Sequence, residues 1–137
     1  MVQIIFQRMR YMLFLGITVC VIFLSIPSTG RCDDPVTGRY SASSGTEIVF
    51  ILTIGSSSPA GLIVEQHLQP GNSIIGTSPG ARKIDNNGIV KWLFRKTKPG
   101  RYTLTTRLAR PLKGKIRTTI RYRAPGSGTL TTKTITP

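Results

Sequence analysis

An all-β domain of antiparallel strands, behind an apolar N-terminal segment, is the fold class this sequence predicts. Three observations point to it. The turn pairs Pro70-Gly71, Pro79-Gly80, Asn87-Gly88, Pro99-Gly100 and Pro125-Gly126 punctuate the chain, mostly about 8 to 12 residues apart, which is the rhythm of a sandwich or barrel. The segments between them alternate apolar and polar residues, as strands with one buried and one solvated face do. No segment after residue 30 keeps a helical period over a useful length.

The first 30 residues read differently from the rest. Arg8 and Arg10 give a positive start, Tyr11 to Ile26 is a largely apolar run of 16 residues without charge, and Pro27-Ser28-Thr29-Gly30 follows. That is the n-, h- and c-region order of a secretory signal. The run falls short of the roughly 20 apolar residues a spanning helix needs. Residues 1–30 are therefore expected to be a signal peptide cleaved after Gly30, with a retained signal anchor as the alternative, and the protein to be exported to a periplasmic, cell-surface or extracellular location. Cys20 would leave with the signal, placing Cys32 beside the new N-terminus. A lone cysteine there suggests an intermolecular disulfide, a free thiol or lipidation. Arg31 weighs against lipidation, because it stands where such signals want a small residue. Membrane attachment is expected only through an uncleaved N-terminal segment or a lipidated Cys32.

Residues 31–46, rich in Asp, Ser, Gly and Thr, read as a flexible lead-in. The domain is placed at residues 47–137. Glu47 to Ile54 is dense in β-branched and aromatic residues and apolar almost throughout, so it predicts a central strand buried on both sides or over most of its length. Gly61 to Gln69 predicts a second strand with Leu62, Val64 and Leu68 inward. Ser73 to Thr77 is a third. Asn87-Gly88 is a two-residue hairpin signal leading into Ile89 to Lys96, where Val90, Trp92 and Phe94 share one face and Lys91 and Arg95 the other. In Arg101 to Ala109, Tyr102, Leu104, Thr106 and Leu108 oppose Arg101, Thr103, Thr105 and Arg107. Lys113 to Arg123 and Thr129 to Ile135 complete about seven strands, the number of an immunoglobulin-like sandwich, with an open barrel as the alternative.

The runs Pro59-Ala-Gly-Leu-Ile-Val-Glu65, Leu68-Gln-Pro-Gly71, Gly88-Ile-Val-Lys-Trp92-Leu-Phe94 and Gly100-Arg-Tyr-Thr-Leu-Thr105 resemble, in that order, a β-sandwich module of secreted and cell-surface bacterial and archaeal proteins. In that module an "E-x-L-P-x-G" strand end precedes a "G-x-I-x-W-x-F" strand and one reading tyrosine or threonine, leucine, threonine. Here two residues separate Glu65 from Leu68, and Gln69 stands between Leu68 and Pro70. The resemblance spans roughly Thr46 to Arg123. It implies an immunoglobulin-like fold at the cell envelope or outside it, and no activity.

Charge supplies the candidate site. Arg31 to Val90 carries four basic and five acidic residues; residues 91–137 carry thirteen basic and none acidic. Such asymmetry calls for an anionic counterpart: an anionic surface or protein partner at the cell envelope, a nucleic acid or an acidic polysaccharide. Lys113, Lys115, Arg117, Thr119, Arg121 and Arg123 fall on odd positions, and Leu112, Ile116, Ile120 and Tyr122 on even ones. In a strand this gives a row of cations about 6 to 7 Å apart opposite an apolar face. Pairing with Arg101 to Ala109 would widen the row with Arg101 and Arg107. Because like charges side by side destabilise a sheet, such a row needs a counter-charge or a use; defence of an edge strand is the other reading.

Nothing in the sequence assembles a catalytic, cofactor or metal site, so an enzyme is not expected. His67, the only histidine, has Glu65 on its own strand face, which reads as a solvated pair because further metal ligands or a nucleophile are lacking. Asp33-Asp34 and Asp85-Asn86-Asn87 read as solvated turns rather than cation sites. Trp92, sharing a face with Val90 and Phe94, reads as a core residue rather than a stacking platform.

Overall fold

The computed structural model describes residues 34–137. The signal or anchor segment and the Cys32 readings lie outside the described residues. Among the described residues no helix is long and apolar enough to cross a membrane. The strands are β1 (Val36–Ala42), β2 (Glu47–Ile54), β3 (Gly61–Leu68), β4 (Ile74–Ser78), β5 (Lys83–Ile84), β6 (Ile89–Arg95), β7 (Gly100–Leu108), β8 (Ile116–Arg123) and β9 (Leu130–Ile135). They form two antiparallel sheets, ordered β1-β2-β7-β4 and β5-β6-β3-β8-β9, around one core, the layered arrangement of a β-sandwich.

Alternation places the core. Ile48, Phe50, Leu52 and Ile54 of β2 and Leu104 and Leu108 of β7 are buried from one sheet; Leu62, Val64, Val90, Trp92, Ile120 and Tyr122 are buried from the other. Each such large side chain contributes about 1.5–3 kcal/mol when fully removed from water. Trp92 carries its polar N–H into this layer and donates it to the Pro79 carbonyl at 2.9 Å. The hairpin before β6 is built as its residues require. Asp85 Oδ1 accepts from the N–H groups of Asn87 and Ile89, both at 3.0 Å, and Gly88 supplies φ = +81°.

Four neighbouring polar residues enter the core. Thr106 Oγ1 donates to Gln66 Oε1 at 2.6 Å, and the Tyr40 hydroxyl bonds Thr118 Oγ1 at 2.6 Å. These pairs join β3 to β7 and β1 to β8, one strand from each sheet in both cases. Burial raises the Tyr40 pKa, opposed by the Thr118 and Gln66 side chains. An unpaired polar group costs about 1–3 kcal/mol once buried, so these bonds favour the sheet alignment that satisfies them.

The expected strands are all present, together with two more. β5 has two residues. The segment read as a flexible lead-in holds β1. Its Thr-Gly-Arg-Tyr-Ser run has weak strand propensity, but tertiary packing outweighs it: Gly38 lets the Phe50 ring close onto the β1 backbone, and Tyr40 meets the same ring edge-on at 5.1 Å. β1 is further held by Lys133 of β9, which donates to the Val36 carbonyl at 2.8 Å and pairs with Asp34, also at 2.8 Å. Asp34 is thus an ion-pair partner across the sandwich edge rather than part of a solvated turn. β2 is central, as expected, but buried on one side only, with Val49 and Ile51 half-buried and Thr53 exposed on the other.

A methyl group at Gly38 would collide with the Phe50 ring. Gly38→Ala is expected to destabilise the domain by about 1–3 kcal/mol, the cost of overpacking a filled core. Urea unfolding measures this. Unchanged stability would mean that Phe50 does not seat on the β1 backbone.

Candidate anion-docking face

β3 sits between β6 and β8 and sends its odd-numbered residues outward. Glu65 lies opposite Lys91 of β6 and Thr119 of β8; His67 lies opposite Ile89 and Arg117; Ile63 lies opposite Leu93 and Arg121. The cations of two neighbouring strands therefore converge on one carboxylate. Lys91 Nζ is 2.8 Å from Glu65 Oε1, and Arg121 Nη2 bonds Glu65 Oε2. Glu65 is 9% exposed. Burial alone would raise its pKa, but hydrogen bonds and charge from Lys91 and Arg121 hold it below the usual carboxylate range. Glu65 is therefore not half of a solvated Glu–His pair: His67 Nε2 stands off at 3.9 Å. The His67 pKa is pushed down, first by burial and then by Arg117, against the opposite pull of Glu65 and Asp85.

The predicted site residues divide. Arg117 and Arg123 are exposed and Arg121 half-buried on the outer side of β8, with Ile116, Ile120 and Tyr122 inward as the alternation requires. Arg123 Nη1 donates to the Gly128 carbonyl at 3.0 Å, tying β8 to the turn that leads into β9. Lys115 immediately precedes β8 and lines a shallow depression with His67 and Arg117. Lys113 belongs to the preceding loop. Its backbone is clasped by Asn72, which accepts from its N–H and donates to its carbonyl, both at 2.9 Å, and Gly114 at φ = +78° then turns the chain. Arg101 and Arg107 do not widen the row. β7 pairs with β2 and β4, so these arginines lie on the outer side of the opposite sheet. Neither is β8 an edge strand, since it lies between β3 and β9; its cations do not guard an edge.

Residues that strand-by-strand reading left out complete the face. Lys91 and Arg95 come from β6, Glu65 from β3, and Lys83 of β5 stands opposite Lys91. Beside Lys91 and Arg121 lies a depression of about 790 Å³, with Gly61, Ile63 and Leu93 along its floor, and Arg123, Leu130 and the turn at residues 124–128 along one wall. Ile63, Glu65 and His67 alternate with the inward residues of β3, a signal visible in the sequence; their meeting with β8 cations is a product of strand order.

Glu65→Gln is expected to cost on the order of 1–2 kcal/mol, between an exposed ion pair and a buried one. The pH dependence has a definite sign. Glu65 contributes stability that is fully present above its unfolded pKa, near 4.5, and is lost as pH falls through its lower folded value. His67 likewise favours the folded state above about 6.5 and loses that contribution as pH falls through its lowered folded value. Urea unfolding between about pH 3 and 8 should therefore give a curve flattened below about pH 4.5 in Glu65→Gln, and flattened just below about 6.5 in His67→Gln. Curves parallel to the parent's would remove these groups from the account.

No family model matches the chain, and no solved structure matches it. An uncharacterized protein of Archaeoglobus fulgidus is 38% identical to it over 84 residues, which are 58% of this chain and 49% of the relative. The chain thus spans about half the length of the curated relative it matches.

Proposed function

We propose that this protein is an exported, non-catalytic module of immunoglobulin-like type, structural or adhesive in role, that docks on an anionic partner at the cell envelope through the outer side of the sheet β5-β6-β3-β8-β9. The observation that carries this reading is charge balance on that side. Among the described residues, Lys83, Lys91, Arg95, Arg117, Arg121 and Arg123 stand on that side against two carboxylates: Glu65, which is bonded to only two of them, and Asp85 of the β5–β6 turn, which acts on His67. A surface so unbalanced raises the local concentration of anions and speeds encounter with them.

Aromatic placement favours protein or surface docking over base or sugar stacking. Among the described residues Tyr40, Phe50, Trp92, Phe94, Tyr102 and Tyr122 all belong to the core or pack against it. Among the described residues the basic side thus carries no exposed Phe, Tyr or Trp ring of the kind on which unpaired bases stack, and its one imidazole, His67, is half-buried. Edge pairing is also disfavoured. β5 is very short, β1 and β4 carry register irregularities, and β9 turns Lys133 inward, all devices that blunt strand edges.

Strand order supports the immunoglobulin-like type. With β1, β2 and β3 as its first three strands and β7, β8 and β9 as its last three, the sheets read A-B-E and C-F-G. β4 occupies the place beside E but precedes β5 and β6 in the chain, a departure from the immunoglobulin order, and β6 extends the other sheet beside C. Trp92 departs from the antibody pattern, standing on β6 rather than on the C-equivalent β3.

The test is retention of the purified full chain on immobilised heparin, with salt elution. Arg117→Glu/Arg123→Glu is the informative variant, because neither arginine bonds Glu65. Elution at markedly lower salt, corresponding to an affinity loss on the order of tenfold or more, is expected from reversing two charges. Arg101→Glu/Arg107→Glu on the opposite sheet should have the smaller effect. Equal effects of the two double variants would sink the assignment to this side of the sandwich.

A further inference from the structure

The 790 Å³ depression combines two chemistries that a purely electrostatic surface does not need. Its floor is apolar: Ile63 and Leu93 face each other across β3 and β6, and Leu93 remains 39% exposed. Leu130, 61% exposed, projects from the far wall beside Arg123, its partner in the β8–β9 register. Gly61, opposite Arg95, removes a side chain from the row next to Ile63 and Leu93, and so deepens the floor. Cations stand beside these apolar groups on the same side of the sheet. Arg121 is opposite Ile63, held on its other side by Glu65, while Arg123 is steered toward the turn by the Gly128 carbonyl.

We infer that this depression is a peptide-docking trough that takes a short acidic segment of a partner protein, with a bulky apolar side chain on Ile63 and Leu93 and flanking carboxylates on Lys91, Arg121 and Arg123. This rests on the docking surface proposed above and names its occupant. Charge decides among candidates. A second copy of this chain would bring its own cations against those of the trough, which costs free energy at close range. An acidic segment brings the complementary sign. Shape favours a protruding chain over a flat bilayer, because the site is a depression bordered by Ala124, Pro125, Gly126, Gly128 and Leu130. Size sets the length. From β6 to β9 the trough crosses three strand spacings of about 4.8 Å, roughly 14 Å in all, enough for about four extended residues.

The test uses the full-length chain and a fluorescein-labelled, amidated Glu-Phe-Leu-Glu peptide, read by fluorescence anisotropy. The Gln-Phe-Leu-Gln analogue and the Leu93→Ser/Leu130→Ser variant are each expected to weaken binding at least tenfold. Both leucines are exposed, so the variant should melt with the parent, which circular dichroism checks. Binding that needs the carboxylates but is untouched in Leu93→Ser/Leu130→Ser overturns the trough and leaves the basic docking surface standing. No peptide binding by a chain still retained on heparin does the same. Heparin retention that is indifferent to Arg117→Glu/Arg123→Glu removes the docking surface itself. Uptake on phosphatidylglycerol vesicles that is lost in Leu93→Ser/Leu130→Ser, without peptide binding, overturns the peptide in favour of lipid.

Discussion

One carboxylate makes the basic sheet tenable. β6 and β8 each bring a cation against β3, and like charges side by side weaken strand pairing. Glu65 lies between them and bonds both, Lys91 on one side and Arg121 on the other. Its neighbour in sequence, Gln66, points the opposite way and bonds Thr106 across the core. Two consecutive residues of one central strand thus anchor the outside of one sheet and the contact between the two sheets. The arrangement leaves Arg117 and Arg123 free of Glu65, and it spreads Arg121 over the sheet rather than into water.

Seen from that strand, the two sides of the sandwich differ in kind. The sheet β1-β2-β7-β4 carries Arg39, Arg101 and Arg107 outward among threonines and half-buried aliphatics, with the exposed Glu47 opposite Arg107. The sheet β5-β6-β3-β8-β9 gathers its cations around a buried counter-charge and next to an apolar trough. Partial neutralisation is consistent with a docking role: it keeps the folded domain stable while leaving a net positive surface. The buried Nε of Arg121, which has no hydrogen-bond partner, is a local cost of holding that side chain against the sheet.

Much of this was legible in residue order. Alternation located the strand with Arg117, Arg121 and Arg123 outside and Ile116, Ile120 and Tyr122 inside, and it assigned Trp92 to the core, but it carried that strand back to Lys113, whereas β8 starts at Ile116 and Gly114 turns the chain before it. Turn pairs such as Asn87-Gly88 marked the hairpins. What remained illegible was non-local. Nothing in the spacing of Arg101 to Ala109 says that it pairs with β2 and β4 rather than β8, so Arg101 and Arg107 were joined to a row they do not enter. β1 was hidden because its stability comes from Gly38 and Tyr40 meeting Phe50, not from its own composition. Glu65 was visible but misassigned, since its nearest polar neighbour on the same strand face is His67 while its partners in space lie on flanking strands.

The central claim is that the protein meets its partner with the outer side of β6, β3 and β8. Hydroxyl-radical footprinting of the full chain, free and bound to the envelope fraction of its own cells, tests that directly. The account predicts protection at Ile63, Leu93 and Leu130, with Tyr102, Ile51 and Val49 labelled equally in both states. Protection confined to Val49 and Ile51, on the outer side of the opposite sheet, would contradict it.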